Sequence, residues 1–358
     1  MSDYTLLCGL FISLHLICNV SKVNEKVELW VYIAVLTALS ALRGAEIGTD
    51  TNSYIAIFNE CPMPLYDFGN SRYEVGYIWL NRILRSITDN YQILFIVSSF
   101  FVYYSFGRFI AKYSRNKWLS VYMFLCYGFY TTTFNLVRQG IAIGILLFAF
   151  DYIVSGRKLK FAILVLIAMM FHSSAIVFFF AYMARNIRFS IKLFAMFGLI
   201  GIIGVYLFSF ILNLVFSYLP MYQHYGDSGY VGDAGLANML YIIISAGILI
   251  YSYSILGNKK VKYNLTPMQS RVDNYSMVLV MVAFVLYLLS MKANILDRVG
   301  VYFNVFTIIL LPNAVKELKG EEKFFVYPML IITFYMYTMA IIMYRPLWNS
   351  VFPYSFCW

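Results

Sequence analysis

Apolar residues run almost without pause along this chain and are interrupted by short basic clusters. The apolar runs cover about 4 to 20, 29 to 42, 90 to 110, 118 to 134, 140 to 155, 192 to 216, 237 to 256, 275 to 292, 299 to 315 and 324 to 344. Each approaches the roughly 20 residues that a helix needs to cross a bilayer core of about 30 Å. Between them lie Lys22 and Lys26; Lys112, Arg115 and Lys117; Arg157, Lys158 and Lys160; Arg185, Arg188 and Lys192; Lys259, Lys260, Lys262 and Arg271; and Lys316, Lys319 and Lys323. The positive-inside rule places all of these clusters on the cytoplasmic side.

The run from 161 to 184, FAILVLIAMMFHSSAIVFFFAYMA, has the length of one span but carries basic clusters at both ends. A single crossing would export one of them. Two short helices turning near His172, Ser173 and Ser174 remove the conflict. Such a broken hairpin is tolerated only where the turn is buried in protein or lines a hydrated cavity. The pattern therefore predicts an all-α polytopic membrane protein with about 12 transmembrane segments. Residues 1–358 form one integral membrane domain with both termini outside and long outward loops at about 43–89 and 217–236. The opening MSDYTLLCGLFISLHLICNV lacks a basic leader and a cleavage site and reads as an uncleaved first span.

Composition agrees: 61% of the 358 residues are hydrophobic and 12% charged, about half the usual charged share. The net charge of +10 is a topology signal held by the inward loops, and nothing in it points to nucleic acid. The five cysteines form no metal-ligand spacing, so no metal site is expected. Cys61 and Cys357 fall in segments placed outside, where a disulfide can form, although sequence does not pair them. Once Arg108 is counted with the inner ends, the remaining basic residues are Arg43, Arg72, Arg82, Arg85, Arg138, Lys292, Arg298 and Arg345. They contribute nothing to this orientation and need anionic company.

Arg43 ends the second run, and Asp50 in GTDT opens a helix-like stretch, either as its N-cap or as a free acid. Glu46 is a weaker acid in the same loop. Glu74 in RYEVGY has Arg72 and Arg43 as prospective partners, and Tyr73, Tyr77, Leu80 and Leu84 make a helical stripe for the interface. Arg138 and Gln139 follow a run of threonines that suits a hydrated pocket. Arg298 begins a helix with Tyr302 one turn later. His172, at the proposed break, is either a satisfied core residue or a proton-exchanging group. His15 and His224 are less informative, and Asp227 and Asp233 do not follow the calcium-loop pattern.

Together RGAEIGTDTNSY, RYEVGY, VRQGIA, the FHSSA break and DRVGVYF before ILLP resemble, in order, the EpsG-like branch of the Wzy-type O-antigen and exopolysaccharide polymerases. The loop from 217 to 236 departs from that pattern and leaves acceptor specificity open. The resemblance implies a GT-C-like, metal-independent glycosyltransferase of the bacterial inner membrane with its site facing the periplasm. Its partners would be undecaprenyl-pyrophosphate-linked oligosaccharides, membrane lipids and a chain-length regulator protein, with no cofactor. Arg43, Arg138 and Arg298 would hold the pyrophosphate, because arginine forks stabilise a leaving oxyanion without a metal. Asp50, Glu74 or His172 would accept the proton of the incoming sugar hydroxyl. Tyr54, Tyr73, Tyr77, Gln139 and Tyr302 would contact sugar. Two other readings stay open: an O-antigen ligase, which shares the donor chemistry, and a flippase for lipid-linked oligosaccharide. Against the flippase stand the clustering of charges at one end and the lack of an inverted repeat.

Overall fold

The computed structural model describes residues 2–60, 73–218, 236–258, 264–344 and 349–358. Its helices are α1 (Ser2–Val20), α2 (Glu25–Ala41), α3 (Thr51–Glu60), α4 (Val75–Arg85), α5 (Gln92–Tyr113), α6 (Lys117–Cys126), α7 (Phe129–Asn135), α8 (Val137–Ser155) and α9 (Lys158–Met169). After a 3₁₀ turn at Ser173–Phe178 come α10 (Phe179–Met183), α11 (Ile191–Tyr218), α12 (Leu236–Leu256), α13 (Pro267–Ser290), α14 (Ile295–Asn304), α15 (Thr307–Lys316) and α16 (Gly320–Tyr344). Among the described residues no strand forms, and an isolated antiparallel bridge joins Arg43 to Phe356. The protein is all-α, as its apolar runs predict.

Among the described residues seven helices are long and apolar enough to cross a membrane, within α1, α5, α8, α11, α12, α13 and α16. The pair α14 and α15, bent by 40°, makes an eighth if taken as one span. These are fewer than the 12 segments read from hydropathy, and the difference has local causes. The run from 118 to 134 splits at Gly128, whose φ of +89° is a left-handed conformation that a side chain would strain. α2 has 17 residues and α9 only 12. The run from 161 to 184 does break near His172: α9 stops at Met169 and the chain resumes as 3₁₀ turns.

The helices gather into two compact units, one of Met1–Ile176 with Lys319–Trp358, the other of Val177–Leu318. In the first, α5 packs between α2 and α8, and α6 lies against α2 and α16. Its centre is aromatic: Phe106 and Phe124 have ring centroids 4.5 Å apart, and Tyr32, Phe95, Tyr103, Phe109, Phe134 and Phe150 are all buried. Tilted ring pairs of this kind add to the burial itself. Polar links tie the helices at their ends. Arg108 bonds to Asp151, which also takes Lys112 at 2.8 Å and the Tyr113 hydroxyl at 2.5 Å. His15 meets Glu28 at 2.7 Å while stacking on Trp118. A buried acid without such partners would be costly.

Residues 349–358 form a strap across one end of this unit. Gly44 N–H donates to Ser355 O at 3.0 Å, Cys357 N–H to Leu42 O at 3.0 Å, and Gly48 N–H to Ser350 O at 2.9 Å. Asn135 Nδ2 donates to Asn349 O at 3.0 Å, and Tyr354 N–H to Asp3 Oδ2 at 2.8 Å. The strap thereby satisfies part of the backbone of the loop carrying Arg43 to Asp50. Cys357 is exposed, and its prospective partner Cys61 lies outside the described residues.

In the second unit α13 packs on α12 and α14. Asn238 Nδ2 bonds the Ser290 hydroxyl at 2.9 Å, and Tyr241 stacks on Tyr287 at 5.1 Å. Of the span window in α11 only 6% is buried, so this helix presents apolar side chains nearly all round, which suits a lipid-facing span.

Candidate functional site

Glu74 precedes α4 and is its N-cap residue, yet its side chain makes no capping bond to that helix. Its carboxylate turns elsewhere. Arg138 Nη1 donates to Oε2, Ser173 N–H donates to Oε1 at 3.1 Å, and His172 Nδ1 lies 3.3 Å from Oε1. The histidine is close but not aligned, since its Nδ1 has no hydrogen-bond partner. One acid thus joins three separate pieces of chain: the start of α4, the second residue of α8, and the break after α9. The side chains are only partly covered, 16% exposed for Glu74 and 24% each for Arg138 and His172. Because His172 Nδ1 is buried, the exposure of that ring lies on its other atoms.

The break is held against α4 by a close backbone approach. Gly76 N–H donates to Met170 O at 2.8 Å, and a Cβ at position 76 would stand 2.7 Å from the same oxygen. Only glycine fits. Gly76→Ala is expected to push Met170 away, loosen the Ser173 contact to Glu74 and destabilise the protein by roughly 1–3 kcal/mol. A thermal melt of the purified variant measures this.

The aromatic neighbours of Glu74 complete the cluster. The Arg138 guanidinium lies 5.1 Å from the Tyr73 ring centroid and 6.0 Å from that of Tyr77, within cation–π range. Tyr77 in turn meets Tyr54 edge-on at 6.0 Å, and the Tyr54 hydroxyl donates to Asn135 O at 2.8 Å. Burial pushes the phenols of Tyr54 and Tyr77 above their ordinary range. For Glu74, burial works toward a higher pKa, but the His172 contact, the Ser173 amide and the Arg138 charge outweigh it and hold the carboxyl at about 2. It stays ionised throughout the neutral range.

Arg43 stands in a separate chamber. It is 2% exposed, its guanidinium lies 4.2 Å from the Phe95 ring centroid and 5.0 Å from that of Phe134, and its Nε and Nη2 are buried with no hydrogen-bond partner. The cavity it lines, with Ser40, Ser98, Ser99, Val102, Tyr103, Thr133 and Val137, has a volume of about 10 Å³. That admits about one water molecule. Arg43 is closed off from solvent and so is not presented as the open clamp its position in the sequence implies.

Glu74 therefore pairs with Arg138 and not with Arg43, while Arg72 lies outside the described residues. Asp50 precedes α3, and its carboxylate accepts from the Thr49 hydroxyl at 3.5 Å. Its backbone oxygen accepts from Tyr54 N–H at 3.1 Å and so touches the aromatic side of the Glu74 cluster. Glu46, exposed, accepts from the Ser355 hydroxyl, a bond that lowers its pKa. Gln139 is buried beside Arg138 in α8, and Arg298 and Tyr302 belong to α14 in the second unit, with Tyr302 fully buried. Lys292 sits before that helix, and Arg345, His224, Asp227, Asp233 and the Lys259 to Lys262 cluster fall outside the described residues. Sequence reasoning missed the Ser173 amide, the Gly76–Met170 contact and the 349–358 strap. Of these, only the glycine in RYEVGY carries a signal in its residue type.

Among the described residues no three His, Cys, Asp or Glu side chains gather as a metal site. The described residues thus form a multi-helix protein with apolar helices long enough to span a membrane and a half-covered cluster of arginine, acid and histidine beside tyrosine rings. The family model described as EpsG matches residues 28–356, and the chain belongs to the EpsG family, which comprises Wzy-like polymerases of polysaccharide biosynthesis. No curated protein and no solved structure matches it.

Proposed function

We propose that this chain polymerises polysaccharide repeat units, moving the growing glycan from undecaprenyl pyrophosphate onto the non-reducing end of the next lipid-linked unit. In this reading the chain threads the inner membrane in 12 segments as a GT-C-like enzyme, with the Glu74 cluster facing the periplasm. A chain-length regulator is its expected partner. The single observation that carries the reading is the convergence of Arg138, Glu74 and His172 on an uncapped loop, next to aromatic rings suited to sugar.

The reaction breaks the bond between the anomeric carbon and the pyrophosphate oxygen and forms one to the acceptor hydroxyl oxygen. The electron pair leaves with undecaprenyl pyrophosphate, and the hydroxyl proton passes to a base. Arg138 stabilises the charge growing on the leaving oxygen, which needs no metal. Glu74 serves less as base than as anchor: a carboxylate held at about 2 by Arg138, the Ser173 amide and the nearby His172 ring is a weak proton acceptor. It aims Arg138 and His172. Proton acceptance falls to His172, whose open ring edge is free to meet a hydroxyl, or to Asp50. Tyr54, Tyr73, Tyr77 and Gln139 frame the sugars.

Purified protein incubated with lipid-linked repeat units in detergent is expected to yield a ladder of lengthened glycans. No ladder, with the lipid-linked unit still bound, would assign the protein to transport. Transfer only onto a lipid-core acceptor would make it a ligase.

A further inference from the structure

We propose that the chamber at the end of α2, where Arg43 meets the first residue of α8, is a binding site for a small monatomic anion of the halide class. Four observations converge on it, and none depends on the polymerase reading.

The first is charge. Arg43 is 2% exposed and, among the described residues, forms no salt bridge and no side-chain hydrogen bond. Its nearest company is two phenylalanine rings and the phenols of Tyr103, Tyr54, Tyr130 and Tyr354. A buried cation without a counter-charge is costly. Deprotonation is no escape, because burial lowers its pKa only to about 10.

The second is a surplus of donors. Arg43 Nε and Nη2 have no acceptor, and the Ser40 and Ser99 hydroxyls share one hydrogen bond at 2.8 Å. Ser40 also bonds the Tyr103 hydroxyl, so the surplus lies with the arginine. Tyr103 and Thr133 show no such surplus, since Thr133 passes its proton to Tyr130 O at 2.6 Å and accepts at 2.7 Å from Tyr103.

Third, Val137, the first residue of the 19-residue helix α8, lines the same cavity, and its N-cap makes no side-chain bond. Its first amide is taken by the Tyr54 hydroxyl, but the positive end of the helix dipole still favours an anion beside it. Fourth, the space beside Arg43 is small, about 10 Å³, and suits an ion of water size or slightly larger. An anion seated here neutralises Arg43 and ties the loop that carries Asp50 to the helix start that carries Arg138.

The test uses the full-length protein in detergent, exchanged into gluconate buffer and titrated with bromide at constant ionic strength. The melting temperature is expected to rise and saturate with bromide, and crystals soaked in bromide to show an anomalous peak within hydrogen-bond reach of Arg43. Arg43→Met should abolish both effects. Arg43→Lys, which keeps the charge but not the fork, should weaken the bromide midpoint by about tenfold. Equal melting in gluconate and bromide, or density for a water alone without anomalous signal, overturns the proposal. So does an equal response to inorganic phosphate, which would return Arg43 to the phosphate-binding set. None of these readouts uses a glycan, so a failed polymerase reading leaves them intact.

Discussion

Replacing Arg138 with alanine is expected to reduce polymer formation by roughly 10²–10³-fold, the usual effect of removing one preorganised donor from a developing oxyanion. The protein should remain in the membrane. Such a loss alone would not prove contact with the pyrophosphate, since the same change leaves Glu74 half-buried without its cation. The pair Arg138 and Glu74 lets the two effects be separated. Neutralising both, as Arg138→Gln with Glu74→Gln, removes the stranded charge. If Arg138 only balances Glu74, the double variant regains activity; if it acts on the leaving group, the double variant stays as inactive as Arg138→Gln alone. Arg138→Lys is expected to fall between, because an ammonium keeps the charge but not the fork. Wild-type chain lengths from Arg138→Ala would remove this residue from the site.

A second large effect is expected in stability against pH. The Glu74 carboxyl is held at about 2 in the folded protein, against 4.5 for an ordinary glutamate. A depressed carboxyl contributes stability that is fully present above its unfolded pKa and is lost as pH falls through the folded value. The loss therefore lies between about pH 5 and pH 2, and amounts to on the order of 2 kcal/mol after allowance for partial solvent screening. Melting curves of wild type and Glu74→Gln should differ most at neutral pH and converge toward pH 2. A constant difference across that range would mean that Glu74 does not titrate against its partners. Because Glu74 remains ionised at neutral pH, its own titration is not expected to shape the activity profile there. A neutral-range limb that survives in Glu74→Gln and disappears in His172→Gln assigns the proton acceptor.

Much of this protein was legible along the chain. Apolar runs with basic punctuation identify an all-helical membrane protein, because a bilayer allows an isolated run no other hydrogen-bonded form. The conflict between charge and length at 161 to 184 located a helix break that hydropathy averages away, and the structure puts it after Met169. RYEVGY was readable as a cluster, since Tyr73, Glu74 and Tyr77 fall on adjacent turns. What sequence did not determine was partnership. Arg43 and Arg138 are both basic residues at helix ends beside polar loops, and nothing local separates them. Only packing does: Phe95, Phe134 and the cavity wall close over Arg43, while the break after α9 leaves Arg138 and His172 partly open beside Glu74. Nor does local pattern foresee that residues 349–358 pair with a loop some three hundred positions earlier. Hydropathy and charge act within a span and its flanks, so they settle class and the sites of breaks. Which charged groups meet, and which are sealed, depends on contacts between distant segments, and those exist only once the helices have packed.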